Sequence, residues 1–331
     1  MTDTVPAGRR VRRAAAIALA TTLAVVLLAY AAASAIVWDR LTKVPGGCPA
    51  SIAANTPAAF AVSGVADFDE SPWLMPSPED VSFPGRDPAL TIRGWFIRAV
   101  DPAAPVVVLV HGHTACKRHH EVLLPAGMLH RNGYAVLLID LRDHGDSTFE
   151  DGRYAGGTEE YRDVLAAWDW LRTAQGVPAD RIGLLGVSLG AATVLIAAGE
   201  EAGVAATWED SSYADIEVAI RAELTREHYP TFLERGGIFM ARLLSGDDLA
   251  ALSPIGGVRK MGSRPLFITH GTADQRLSVD YAHDLEAARR AAGGTVESWM
   301  VDGAGHVQAM ALHPAEYEDR LVDFFDRTIG R

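Results

Sequence analysis

The chain has 331 residues, 49% hydrophobic and 22% charged, which suffices for one large α/β body with its own core plus an appendage. Formal net charge is −12. Arg9, Arg10, Arg12 and Arg13 against Asp3 make residues 1–38 net +3 and leave −15 for the remainder, which argues against nucleic acid as a partner, because phosphates need a basic surface. The two cysteines, Cys48 and Cys116, form neither a disulfide scaffold nor a metal-finger spacing. A bridge between them needs a compartment outside the cytosol, and nothing in their sequence context brings them together.

Residues 1–13 read as a basic cytoplasmic tail. Ala14–Trp38 follow with no charge over 25 residues, which at about 1.5 Å per residue span roughly 37 Å, enough for the roughly 30 Å hydrocarbon core of a bilayer. The arginines precede the run, so the positive-inside rule places the N-terminus in the cytoplasm and the body outside, as a single-pass membrane protein. The competing reading is a signal peptide cut within Ala31-Ala32-Ala33-Ser34-Ala35 and a secreted body. The length of the run favours a retained anchor.

Residues 39–78 are rich in Pro, Gly and Ala and read as linker and lead-in, with Pro45-Gly46-Gly47 as a breaker. Val81-Ser82-Phe83 and Leu90–Ile97 predict a strand pair around the turn residues Pro84-Gly85-Arg86-Asp87-Pro88. Continuous apolar runs at 105–110, 134–139 and 182–185 then predict strands covered on both faces, followed by a weaker fourth run at 205–208, a fifth at 265–269 and a sixth at 296–301. Helical periodicity separates them, as with Tyr161, Val164, Leu165, Trp168 and Leu171 before the third run, and Tyr317, Leu321, Phe324 and Phe325 near the C-terminus. The alternation implies a mostly parallel twisted sheet with helices on both faces and ligands at the carboxyl ends of its strands. The interval after the fourth run breaks the rhythm. Two greasy helices, about 213–226 and 231–244, predict a small helical cap over 213–256 that shapes an apolar pocket, with a longer packed connection as the alternative.

Gly186-Val187-Ser188-Leu189-Gly190 joins the third run to a helical stretch. A serine on so tight a strand–helix turn is lifted out of the sheet, and the flanking glycines let the two backbones pass closely. A nucleophilic serine needs a base, a group that orients the base, and backbone donors for the developing oxyanion. His306, after the last strand, is the candidate base. Asp274, directly after the fifth run, is the candidate orienting acid, with Asp302 as runner-up. The backbone N–H groups of Leu189 and His113 are the candidate oxyanion donors.

In this arrangement the chain resembles α/β-hydrolase-fold serine hydrolases, nearest the bacterial esterase-like and dipeptidyl-peptidase-like branch. The resemblance covers about 79–331. It is carried by the Ser188, Asp274, His306 order, by Val110-His111-Gly112-His113 as the oxyanion strip, by Asp140–Ser147 as a structural signature, and by His270-Gly271-x-x-Asp274 and Gly305-His306 as the acid and base segments. The strip lacks a triple glycine, and Gln275-Arg276-Leu277 departs from the usual residues after the acid. The resemblance implies hydrolysis of a small-molecule carboxylic ester or related acyl compound through an acyl-enzyme, with no cofactor and no metal. A peptidase, an envelope acyltransferase and a fold-retaining binding protein are the alternatives. His119-His120-Glu121 reads as a solvated helix start rather than a metal site, and Glu209-Asp210 as a cap of the next helix or a site for a cationic substrate group.

Overall fold

A computed structural model describes residues 7–330. The first six residues of the basic tail lie outside it. Among the described residues, eight strands form one sheet: β1 Glu79–Pro84, β2 Thr91–Ile97, β3 Val106–Val110, β4 Ala135–Asp140, β5 Ile182–Val187, β6 Ala206–Asp210, β7 Leu266–Gly271 and β8 Glu297–Val301. Their order is β1-β2-β4-β3-β5-β6-β7-β8. The first two strands are antiparallel and β2 runs antiparallel to β4, while β4 through β8 are parallel. The described residues also form ten α-helices: α1 Ala7–Thr42, α2 His120–Arg131, α3 Tyr161–Thr173, α4 Leu189–Glu200, α5 Ile216–Arg226, α6 Glu234–Leu244, α7 Pro254–Lys260, α8 Asp280–Ala291, α9 Ala309–Leu312 and α10 Pro314–Phe325. This is the α/β-hydrolase architecture, a twisted, mostly parallel sheet flanked by helices.

Every residue of β3, β4 and β5 is buried, which is why these segments read as unbroken apolar runs rather than alternating ones. The side-chain period of two still sorts them by face. Val106, Val108 and Val110 point into the core shared with α3, α4 and α8. Val107 and Leu109 point into the opposite core, with Leu123 of α2 and Tyr317, Leu321 and Phe324 of α10.

The apolar run lies within α1, a helix of 36 residues and about 54 Å, which extends past the run at both ends. Among the described residues it is the one helix long and apolar enough to cross a bilayer. Its side chains are exposed from Gly8 to Tyr30, but Ser34, Val37 and Thr42 are buried against the body. The segment after α1 is stitched down too. Val44 N–H donates to Gly152 O, Tyr154 N–H to Thr42 O and Gly145 N–H to Gly47 O. Phe60, Trp73 and Met75 fill the core beneath α2.

Cys48 and Cys116 are joined in a disulfide, which pins this segment beside the loop that follows β3. The bond closes a separation of 68 residues, so the entropy it removes from the unfolded chain is large. Replacing both residues (Cys48→Ser/Cys116→Ser) is expected to lower stability by about 2–4 kcal/mol in urea unfolding of the detergent-solubilised chain. Adding reductant to the wild type should produce the same loss. A double variant as stable as the wild type under non-reducing conditions would contradict the linkage.

Candidate active site

The site is assembled where β5 turns into α4. Ser188 occupies that turn at φ 55°, ψ −118°, a backbone state that non-glycine residues adopt only where surrounding structure enforces it. Here the enforcement is close packing. A Cβ on Gly186 would lie 2.2 Å from Gly190 O, and one on Gly190 would lie 2.3 Å from Val110 O. The Ser188 N–H donates to Asp210 O on the neighbouring strand, and Ser188 O accepts from Ala192 N–H inside α4. The hydroxyl is thereby left to project from the strand end.

His306 Nε2 lies 2.9 Å from Ser188 Oγ, and His306 Nδ1 lies 2.7 Å from Asp274 Oδ2. The three groups come from the ends of β5, β7 and β8, which are separated in sequence but gathered at one edge of the sheet. Asp274 is fully engaged. Its Oδ1 accepts the N–H groups of Arg276 and Leu277, and Oδ2 also lies 3.3 Å from His270 Nε2. Burial alone would raise its pKa, but the hydrogen bonds from His270 and His306 outweigh burial and hold the carboxyl well below its usual range. Asp302, the runner-up, instead meets the Thr272 hydroxyl.

Leu189 and His113 both line the cavity at Ser188. The Leu189 N–H opens α4, where a helix supplies no internal acceptor. The loop carrying His113 is pressed onto Ser188, since a Cβ on Gly112 would sit 3.2 Å from Ser188 Cβ. His111 fixes this loop from behind: its Nδ1 donates to Gly112 O, and its Nε2 accepts the N–H of Leu141. Asp140 of the Asp140–Ser147 segment accepts from the N–H groups of Lys117 and Asp146 and pairs with the Lys117 ammonium, so this segment braces the same loop. The His113 ring packs 4.3 Å from the Tyr154 ring, and burial, with the nearby His144, pushes its pKa down to about 3.

Several contributors escape a reading of the sequence. His270, fully buried, is one; it lies inside the segment noted for Asp274, four residues upstream. Burial disfavours its charge, but the hydrogen bond to Asp274 and the charge of Glu209 raise its pKa overall. The turn after His306 is held by Val307 N–H donating to Ser211 Oγ. Ser211 Oγ donates in turn to Asp210 Oδ1, and Tyr317 Oη donates to Asp210 Oδ2. Arg40 and Leu41, from the end of α1, wall the cavity together with Ile216, Ile220 and Glu223 of α5 and Arg276. The only hint of the former pair is the return of charge at Asp39-Arg40 after the apolar run.

Two expectations need correction. Glu209 and Asp210 neither cap the next helix nor face the cavity. They complete β6, are fully buried, and lock the turn behind it, where Glu209 accepts Ser212 N–H. Burial pushes their pKa values up to about 8 and about 6. Asp215 caps α5. His119-His120-Glu121 is not a solvated helix start: His120 is buried, the other two are half-buried, and the three ligand atoms lie within 4.8 Å of one another.

The prolyl oligopeptidase family model matches residues 125–331. An uncharacterized 31.7 kDa protein encoded in the traX-finO intergenic region of Escherichia coli is 29% identical over 131 residues, 39% of this chain and 44% of that protein, so the chain spans less than half the length of that relative. Among solved structures, the Pyrococcus furiosus esterase Pf2001 superposes with a TM-score of 0.63 at 22% identity, over 83% of this chain and all of that one. The Pyrococcus horikoshii acylaminoacyl peptidase does so with 0.58 at 19% identity, over 77% of this chain and 42% of that one. Both likenesses are of fold.

The depressed pKa of Asp274 carries a stability signature. A carboxyl lowered on folding contributes stability above its unfolded value, near ~3.9, and the contribution is lost as pH falls below that toward the folded value. In thermal unfolding, wild type is expected to exceed Asp274→Asn at pH 5, and the gap to shrink between about pH 4 and pH 2. A gap unchanged at about pH 2.5 would mean that folding does not lower the Asp274 pKa.

Proposed function

The chain belongs to the prolyl oligopeptidase family, and from that premise we propose that it hydrolyses carboxylic esters or related acyl compounds through an acyl-enzyme on Ser188. The observation that carries this reading is the unbroken hydrogen-bonded line from Ser188 Oγ through His306 to Asp274. His306 Nε2 takes the hydroxyl proton as Ser188 Oγ bonds to the substrate carbonyl carbon. The Leu189 and His113 N–H groups stabilise the oxyanion. Collapse of the tetrahedral adduct expels the alcohol, which leaves with the proton held on His306. A water molecule then repeats the cycle on the acyl-enzyme: His306 accepts its proton, the acid departs, and Ser188 regains its hydrogen. Asp274 holds the imidazole tautomer and stabilises its cationic form.

An ester is favoured over a peptide for a specific reason. The acidic pair at the end of β6, the sequence's candidate for holding a cationic substrate group, is buried away from the cavity. Leu41, Ile216, Ile220 and Leu277 instead give the cavity an apolar wall suited to an acyl chain, and Glu223, the carboxylate that does line it, is paired with Arg226. We also propose the division of the chain into a cytoplasmic tail (1–13), a membrane span (14–38), a lead-in (39–78) and a catalytic body (79–331) with its cap at 213–256. Two observations support this placement with the body outside. The disulfide suits an oxidising compartment. The burial of Ser34 against α6 suits an uncleaved helix, since cutting after Ala35 would remove that contact.

A serine-directed fluorophosphonate is expected to label the wild type and not Ser188→Ala, and p-nitrophenyl ester hydrolysis should fall by ~10³-fold or more in Ser188→Ala and in His306→Ala. Undiminished labelling of Ser188→Ala would sink the mechanism. Faster turnover of amino-acyl anilides than of esters would move the assignment to a peptidase. Product esters formed with an added alcohol in preference to free acid would move it to an acyltransferase.

A further inference from the structure

The segment between β6 and β7 does more than cover the site. It runs along the apolar helix. Gly236, Gly237 and Ala241 are buried on the face of α6 that meets α1, and small residues let the two helices approach closely. A Cβ on Gly236 would lie 2.0 Å from Ser34 Oγ and 2.8 Å from Tyr30 Oη, and one on Gly237 would lie 3.1 Å from Val37 Cγ1. Just before α6, Tyr30 donates its hydroxyl hydrogen to Phe232 O, and their rings stack at 6.2 Å. Phe232 and Phe239 are nevertheless 69% and 60% exposed, and Arg235 is exposed beside them. Exposed aromatic groups with a flanking cation are what an interfacial helix presents to a bilayer.

The level of these residues follows from helix geometry. If the hydrocarbon begins just after Arg13, about 30 Å at about 1.5 Å per residue ends roughly 20 residues later, near Ser34. The Tyr229–Leu233 stretch straddles that level, because the groove it lines, about 510 Å³ in volume and almost wholly apolar, has Val26, Ala29, Tyr30 and Ala33 of α1 below Ser34 and Ile36 and Val37 beyond it. The groove leads toward Ser188 along α1. Its wall residue Val37 packs on Gly237, which lines a small apolar cavity with Trp38 and Leu41. That cavity shares Leu41, Tyr154, Ile216 and Ile220 with the cavity at Ser188. Leu41 stands about 10 Å beyond Ser34 along the helix, about the depth of a headgroup layer above the hydrocarbon.

We propose that the Tyr229–Phe239 part of the cap lies in the outer leaflet against α1, and that the substrate is a long-chain acyl ester of a bilayer amphiphile, its chain held in the α1–cap groove while its carbonyl is drawn up to Ser188. The occupant is lipid because the groove wall is continuous with the uncharged run that spans the membrane. This deepens the hydrolase reading and rests on it for the chemistry.

The test uses the full chain reconstituted in phosphatidylcholine vesicles. Phe239→Glu/Leu243→Glu changes exposed side chains that line none of these cavities. Hydrolysis of a vesicle-embedded palmitoyl ester is expected to fall about tenfold in this variant, while p-nitrophenyl acetate turnover and fluorophosphonate labelling stay within about twofold of wild type. Equal rates on both substrates would overturn the proposal. Immersion is read without catalysis: in Ser188→Ala carrying Phe232→Trp, the added indole fluorescence should be quenched by lipids brominated in their acyl chains, and unquenched emission would also overturn it. A wild type that cleaves neither ester in a Ser188-dependent way would refute the hydrolase reading and the substrate with it, and quenching would then still decide where the cap lies.

Discussion

Ser188 sits where two backbones cross at contact distance. Strand β5 ends, α4 begins, and the carbonyls of Val110 and His111 press against the first turn of that helix, with room only for hydrogen at Gly186 and Gly190. The left-handed φ of Ser188 is the cost of the crossing, and the hydrogen bond from its N–H to Asp210 O holds it there. Everything else at the site is arranged about that point. Its hydroxyl direction determines where His306 must stand, and its packing against the strip after β3 brings Leu189 and His113 to one side of the cavity.

The supports of His306 are polar and buried, which makes them demanding. Asp274 receives two backbone amides and two imidazoles; Asp210 receives a serine and a tyrosine hydroxyl. In a low-dielectric interior an unpaired group of this kind would be costly, so each partner constrains the others. The result is a set of buried polar contacts that holds the His306 and Asp274 side chains in one arrangement. The opposite wall is built differently, chiefly from Leu41 at the end of α1 and Ile216, Ala219 and Ile220 of α5, with Arg40 and Glu223 beside them.

Much of this was legible from local patterns. Each of the eight strands lies on a segment picked out by its apolar run or turn residues, most sharply β3, β4 and β5, where burial on both faces leaves a mark at every residue. Ser188, Asp274 and His306 follow strand ends, where an open parallel sheet collects functional groups. His270 was less legible because a histidine carries no signature of its burial. Glu209 and Asp210 were misread because a carboxylate after an apolar run usually meets solvent or a helix end, whereas here the strand continues through both and neighbouring elements cover them.

The sequence by itself determined the order of elements, the apolar N-terminal helix, and the residues that the strand ends present, since these depend on periodicity and turn chemistry within a few residues. Only the tertiary structure decided that Cys48 meets Cys116, that α6 lies along α1 through Gly236 and Gly237, and that Arg40 and Leu41 wall the cavity. The reason is physical. Those contacts join segments tens to hundreds of residues apart, and each participating residue is ordinary in its own neighbourhood until the partner surface arrives.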